Sequence, residues 1–139
     1  MTTVLALDYG TKRIGVAVGD SQVKIAHPIE VINRKTSAHT KKEITRIIEN
    51  WRPSKLVVGM PKSTVNNCRH KLHEEIKRFC KKLKADFSVP IVLIDESYTS
   101  VEAELKLKAT GLKSQSIYSI TDSLAASSIL EDFFEGYYE

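Results

Sequence analysis

The chain has 139 residues, 42% of them hydrophobic and 27% charged, with 21 Lys and Arg against 17 Asp and Glu. These are ordinary values for a soluble globular protein, and the length suits one domain with a full-sized core. The first apolar run is cut at Asp8, too early for a signal-peptide core, and no later run approaches a membrane-spanning length, so the expectation is a cytoplasmic protein with no membrane partner.

The opening residues Leu5-Ala6-Leu7-Asp8-Tyr9-Gly10-Thr11 form an apolar run that ends in a carboxylate and a turn, and Ile14-Gly15-Val16-Ala17-Val18 resumes it. This predicts two adjacent strands, with Val4 and Ala6 sharing a face with Asp8 because side chains alternate along a strand. Val23 to Val31 reads as a third strand. His27-Pro28 interrupts it, and proline removes a ladder donor, so it belongs at an edge or a bulge. A polar loop, Arg34 to His39, follows. Thr40 and Glu43 have capping-box spacing, and Ile44, Ile47, Ile48 and Trp51 form one apolar stripe, with Trp51 expected in the core. Arg52-Pro53 stops that helix.

Lys55 to Met60 is a continuously apolar strand, as expected of a parallel strand covered on both faces. A helix runs to about Lys84 with Leu72, Ile76, Phe79 and Leu83 on one face. Cys68 and Cys80 both fall within it, about 18 Å apart along the axis, too far for a disulfide. Pro90 to Asp95 is a fifth strand, leading to Glu96. Thr99 and Glu102 suggest a further capping box and a helix through about Ala109, which Gly111 ends. Lys113 to Ser119 reads as a loop, and a last helix is expected from about Thr121-Asp122, with Leu124, Ala125, Ile129 and Phe133 in the core. The predicted order is β-β-β-α-β-α-β-α-α, a mixed five-stranded α/β sheet with ligand chemistry at the carboxyl ends of its parallel strands.

Charge is unevenly spread. Fifteen of the 21 basic residues lie between Arg34 and Lys84, and the last nine residues hold four acids and no base. Such a segment suits a polyanion-binding face, or simply solvates two helices. Three carboxylates fall at element ends: Asp8 on the first strand, Glu96 after the fifth, and Asp122 at the start of the last helix. Three acids without a built-in base repel one another unless cations neutralise them, and an all-oxygen set suits Mg2+ or Mn2+. Two such ions can activate water and stabilise the leaving oxygen of a phosphodiester. The structural alternative is equally concrete: Asp8 caps its turn, Glu96 is a loop acid, and Asp122 completes a capping box with Ser119.

The motifs then reach a resemblance. Leu7-Asp8-Tyr9-Gly10-Thr11-Lys12-Arg13-Ile14-Gly15-Val16-Ala17-Val18 resembles the opening motif of the YqgF/RuvX family, and Val57-Val58-Gly59-Met60-Pro61 its second. Asp95-Glu96-Ser97-Tyr98-Thr99-Ser100-Val101-Glu102-Ala103 is similar to the third, and Asp122-Ser123-Leu124-Ala125-Ala126 with Ile129-Leu130 to the fourth. The resemblance implies an RNase H-like fold with helices on both sheet faces. It also implies a divalent-metal nuclease in which Asp8, Glu96 and Asp122 are the catalytic, metal-holding acids, leaving a 5′-phosphate and a 3′-hydroxyl. The family is associated with maturation of the 5′ end of pre-16S ribosomal RNA, and a Holliday-junction resolvase role has been proposed for it. Two departures stand out. Ser97 replaces a usual arginine, which leaves Lys12, Arg13 or Lys62 to grip nucleic acid, and Asn66-Asn67 stand where an Asp-Gly turn is usual.

Three functions follow from these residues. The first is a nuclease acting on structured or precursor rRNA, with ribosomal particles as partners. The second is a resolvase of branched DNA, which needs two active sites and so a homodimer rather than a monomer. The third is a non-catalytic RNA-binding module. An actin-like ATPase, which closes two such domains on a nucleotide, is excluded by length.

Overall fold

The computed structural model describes residues 2–10, 12–61, 67–96 and 114–136, without the side chains at 61, 67–71, 95, 96 and 114–123. Five strands form one mixed sheet: β1 (Thr3–Tyr9), β2 (Arg13–Asp20), β3 (Ile25–Asn33), β4 (Lys55–Pro61) and β5 (Ile91–Glu96). Their spatial order is β3-β2-β1-β4-β5. The first three make an antiparallel meander, and β1, β4 and β5 run parallel. The helices are α1 (Ser37–Trp51), α2 (Asn67–Asp86) and α3 (Ser114–Phe134). The helix expected from Thr99 to Ala109, and the residues Lys62 and Ser97, lie outside the described residues.

Alternation along the strands sorts the core into two layers. Leu5, Leu7, Tyr9, Val16, Val18 and Val58 face α1 and α2, where Ile44, Ile47, Ile76 and Leu83 meet them. Val4, Ala6, Ala17, Val57 and Ile94 face α3 and pack on Ala126, Ile129, Leu130 and Phe133. Helices therefore cover both faces, which is why β1 and β4 are apolar at nearly every position. The small side chains of Ala125 and Ala126, both essentially inaccessible, let α3 lie close to the sheet.

Pro28 behaves as its chemistry requires. β3 is an edge strand, and its register slips between Val16–Glu30 and Ala17–Pro28, leaving Ile29 as the extra residue of a bulge. Its start moves from Val23 to Ile25, because the Asp20 carboxylate accepts from the Gln22 and Val23 amides and winds residues 20–24 into a turn. Lys24 closes that turn at φ 60°.

Three expectations need correction. α1 begins at Ser37 rather than Thr40, because the Thr36 hydroxyl accepts from the His39 amide at 3.0 Å and caps the helix one turn earlier. Trp51 is 43% exposed rather than core. It is the last residue of α1, and Arg52 turns the chain into the left-handed region (φ 44°) immediately after it, so the apolar stripe ends at Ile48. Finally, α3 starts at Ser114, so residues 114–119 are helical and Asp122 lies in the third turn. Asp122 therefore neither opens the helix nor pairs with Ser119 as a cap. No proline or glycine separates residue 114 from the packed segment, and helix extends cheaply from turns already formed.

Cys80 is buried on α2, and burial pushes its thiol up to about 11. The folded state thus favours the neutral thiol. Its contribution is complete below the unfolded value of about 9 and is lost as pH rises towards the folded value. Unfolding free energy should fall between these two pH values, and Cys80→Ala should flatten that fall in chemical-denaturation curves measured across the window.

Candidate nuclease site

Asp8 is the penultimate residue of β1 and is half-buried. It follows Val4 and Ala6 on the α3 side of the sheet. The antiparallel register sets Gly15 of β2 directly opposite it. On the other side, the last parallel pair is Leu7 with Val58, and the next residue of β4 is Gly59. Both strand neighbours of Asp8 therefore lack a side chain. Gly15 and Gly59 are themselves buried, so this row is covered rather than open to solvent.

The other two acids come to the same side of the sheet by backbone position. β4 pairs with β5 through Gly59–Ile94 and Pro61–Glu96, so position 96 has the parity of Ile94, a residue of the α3-side core. Strand spacings put it about 10 Å across and about 7 Å along from Asp8. Position 122 precedes Ala125 and Ala126 by one helical turn. The end of α3 is fixed at the opposite edge, where a Cβ on Gly19 would touch the Phe134 ring and Lys55 lies 5.3 Å from the centre of the Phe133 ring. From Phe133 to position 122 the helix rises about 16 Å, against about 13 Å from Val4 to Asp8. The helix is thus long enough to bring position 122 level with Asp8. The side chains of Glu96 and Asp122 are not among those described, and no cluster of three metal-ligating side chains occurs among the described residues.

The turn after Asp8 is held from the opposite face. The Gly10 amide donates to the Arg13 carbonyl at 2.9 Å. A Cβ on Gly10 would stand 2.6 Å from that same oxygen, so only glycine fits the turn. Arg34 clamps it: one guanidinium nitrogen donates to the Gly10 carbonyl at 2.7 Å, and its amide donates to the Lys12 carbonyl at 2.9 Å. The guanidinium carbon also lies 4.5 Å above the centre of the Tyr9 ring, which packs on Phe79 with ring centres 4.8 Å apart. Burial raises the Tyr9 phenol above its ordinary value, the Arg34 charge opposes that rise, and Glu75 reinforces it.

Of the nucleic-acid contacts expected, Lys12 is exposed in this turn and Arg13 is half-buried at the start of β2. Arg34 was missed by reading the sequence, which showed only a polar loop at that point. Its signal, a single arginine just after an edge strand, becomes meaningful only once β3 is paired with β2. Gly59 was quoted in a motif, but its place beside Asp8 needs the register.

The fold is that of the RNase H-like α/β proteins. RuvC of Thermus thermophilus, solved in complex with a Holliday junction substrate, superposes with a TM-score of 0.61 over 99% of this chain and 96% of its own, at 16% identity. The Fowlpox virus resolvase bound to Holliday junction DNA gives 0.54 over 95% and 99%, at 13% identity.

The family model described as "RuvX: Holliday junction resolvase" matches residues 2–136, and the chain belongs to this family. Curated relatives carry the name "Putative pre-16S rRNA nuclease". That of Methylobacillus flagellatus is 38% identical over 96% of this chain and 90% of its own. That of Chromobacterium violaceum is 40% identical over 94% and 96%.

Arg34→Ala removes a charged hydrogen bond and the cover over Tyr9. It should destabilise the fold by about 1.5–3 kcal/mol, read by urea denaturation, while Arg34→Lys, which keeps the charge but not the planar fork, should recover only part of the loss.

Proposed function

We propose that this chain is a divalent-metal nuclease that hydrolyses phosphodiester bonds in precursor 16S rRNA near its 5′ end. The observation that carries the reading is Asp8 standing between Gly15 and Gly59 at the carboxyl edge of the parallel strands. A half-buried carboxylate at the end of a core strand is costly unless something neutralises it, which suits a cation ligand. Membership of a nuclease family and the names of the relatives support the substrate.

The donor set fits hard cations. Asp8, Glu96 and Asp122 supply only oxygen, the preference of Mg2+ and Mn2+, and the buried Cys80 faces the other layer. Asp8, Glu96 and Asp122 would together hold the cations. The chemistry that two such cations supply when bound is activation of a water and stabilisation of the leaving oxygen. The chain's own part is positioning. The Arg34 clamp fixes the direction of β1's end, and Lys12 and Arg13 offset phosphate charge beside Asp8.

The test is cleavage of a transcript spanning the 16S 5′ leader, with Mg2+ or Mn2+. Asp8→Asn, nearly isosteric, should lower the rate by about 100-fold or more, on the scale of losing one essential electrostatic group, without lowering the thermal midpoint. Glu96→Gln and Asp122→Asn should do likewise. Equal cleavage by wild type and Asp8→Asn refutes the assignment.

A second reading, resolution of branched DNA, is favoured by the family's description and the two junction-bound structural neighbours. It requires a homodimer presenting two sites to two strands. Cleavage of a synthetic four-way junction by a dimeric protein supports it, and a strictly monomeric protein in sedimentation opposes it.

A further inference from the structure

We propose that the cleft between α1 and α2, on the sheet face opposite Asp8, binds the phosphodiester backbone of a nucleic-acid strand. The identity of that strand as substrate rests on the nuclease reading above, but the binding itself does not. The cleft measures about 900 Å³ and has Tyr9 and Phe79 at its base. Among the described residues lining it are five cations, Arg34, Lys35, Lys41, Arg78 and Lys82, and two acids, Glu75 and Asp86. Both acids already have partners. Asp86 pairs with Lys41 at 3.5 Å across the end of the cleft, and Glu75 lies 3.5 Å from the Tyr9 hydroxyl that donates to it. Arg34 is held on the Gly10 carbonyl. Lys35, Arg78 and Lys82 are exposed and have no carboxylate within ion-pair distance among the described residues.

An uncompensated cluster of three cations in a concavity attracts a polyanion, and concavity concentrates the field. The capped amino end of α1, residues 36–38, also lines the cleft and adds the positive end of its dipole. Tyr9 is buried and already covered by Arg34, so its ring offers no stacking platform. Charge and backbone dipole read phosphate without regard to sequence.

The cleft also lies next to the carboxylate edge. Tyr9 is the residue after Asp8 and faces the opposite way, so the two surfaces meet at the Gly10–Lys12 turn. A strand leaving the Asp8 side over this turn passes exposed Lys12 and enters the cleft between Lys35 and Arg78. The cleft would thus hold a flanking part of the molecule whose scissile bond lies at Asp8.

The experiment is anisotropy titration of a labelled, mixed-sequence single-stranded RNA with the full chain in EDTA, over a series of salt concentrations. Arg78→Ser/Lys82→Ser should reduce the slope of log K against log salt by about 1.4, from two contacts at about 0.7 each on a single strand. Lys77→Ser/Lys81→Ser removes the same charge from exposed positions of α2 outside the cleft, and should leave the slope unchanged. An unchanged slope in the first variant, or equal loss in both, overturns the proposal. Binding in EDTA is read without cleavage, so a failed cleavage test leaves the binding result standing, and the reverse.

Discussion

The structure depends on β1 being buried on both faces and yet ending in a charge. Val4 to Leu7 are sealed between α3 on one side and α1 with α2 on the other, so the strand's register, height and direction are fixed by packing. A one-residue slip would exchange the two faces and drive Asp8 into the α1–α2 core, with loss of nearly every inward contact. The core thus aims the carboxylate. Gly15 and Gly59 flank it without side chains of their own, at the cost of two positions in the sheet interior that lack side-chain packing.

Rigidity beyond the last core residue comes from polar contacts. The chain reverses within four residues of Asp8, where hydrophobic burial can no longer hold it. The Gly10–Arg13 hydrogen bond closes the reversal, and Arg34, delivered from the far end of β3, ties both Gly10 and Lys12 to the neighbouring strand. The guanidinium is suited to this because one planar group can donate to a carbonyl and lie over an aromatic ring at once. Tyr9 links the same clamp to Phe79 and Glu75 of α2, so the Asp8 edge and the α1–α2 cleft share one support.

Much of this was legible in the sequence, for physical reasons that differ by element. The five strands and α2 follow from period and turn chemistry, and Pro28 placed β3 at a bulged edge because its missing amide allows little else. The family motifs carried the fold. Local competition was less legible. Thr36 and Thr40 are both plausible caps, and only backbone geometry chooses the first. Trp51 continues an apolar stripe but sits where Arg52 turns the chain away. The serine-rich start of α3 has no strong propensity, so its helicity depends on the packed half that follows. The Gly15–Asp8–Gly59 row, Arg34's hold on the turn, and the gathering of Lys35, Arg78 and Lys82 around one cleft are juxtapositions of distant residues. No spacing in the chain announces them.

The central claim is that Asp8 occupies its glycine-flanked position in order to hold a hard cation. Mn2+ titration followed by electron paramagnetic resonance tests this without reference to any substrate. Wild type should bind Mn2+ saturably and Asp8→Asn should lose that binding, with Mg2+ competing for the same site. Identical binding by the two proteins, or none by wild type, would contradict the account.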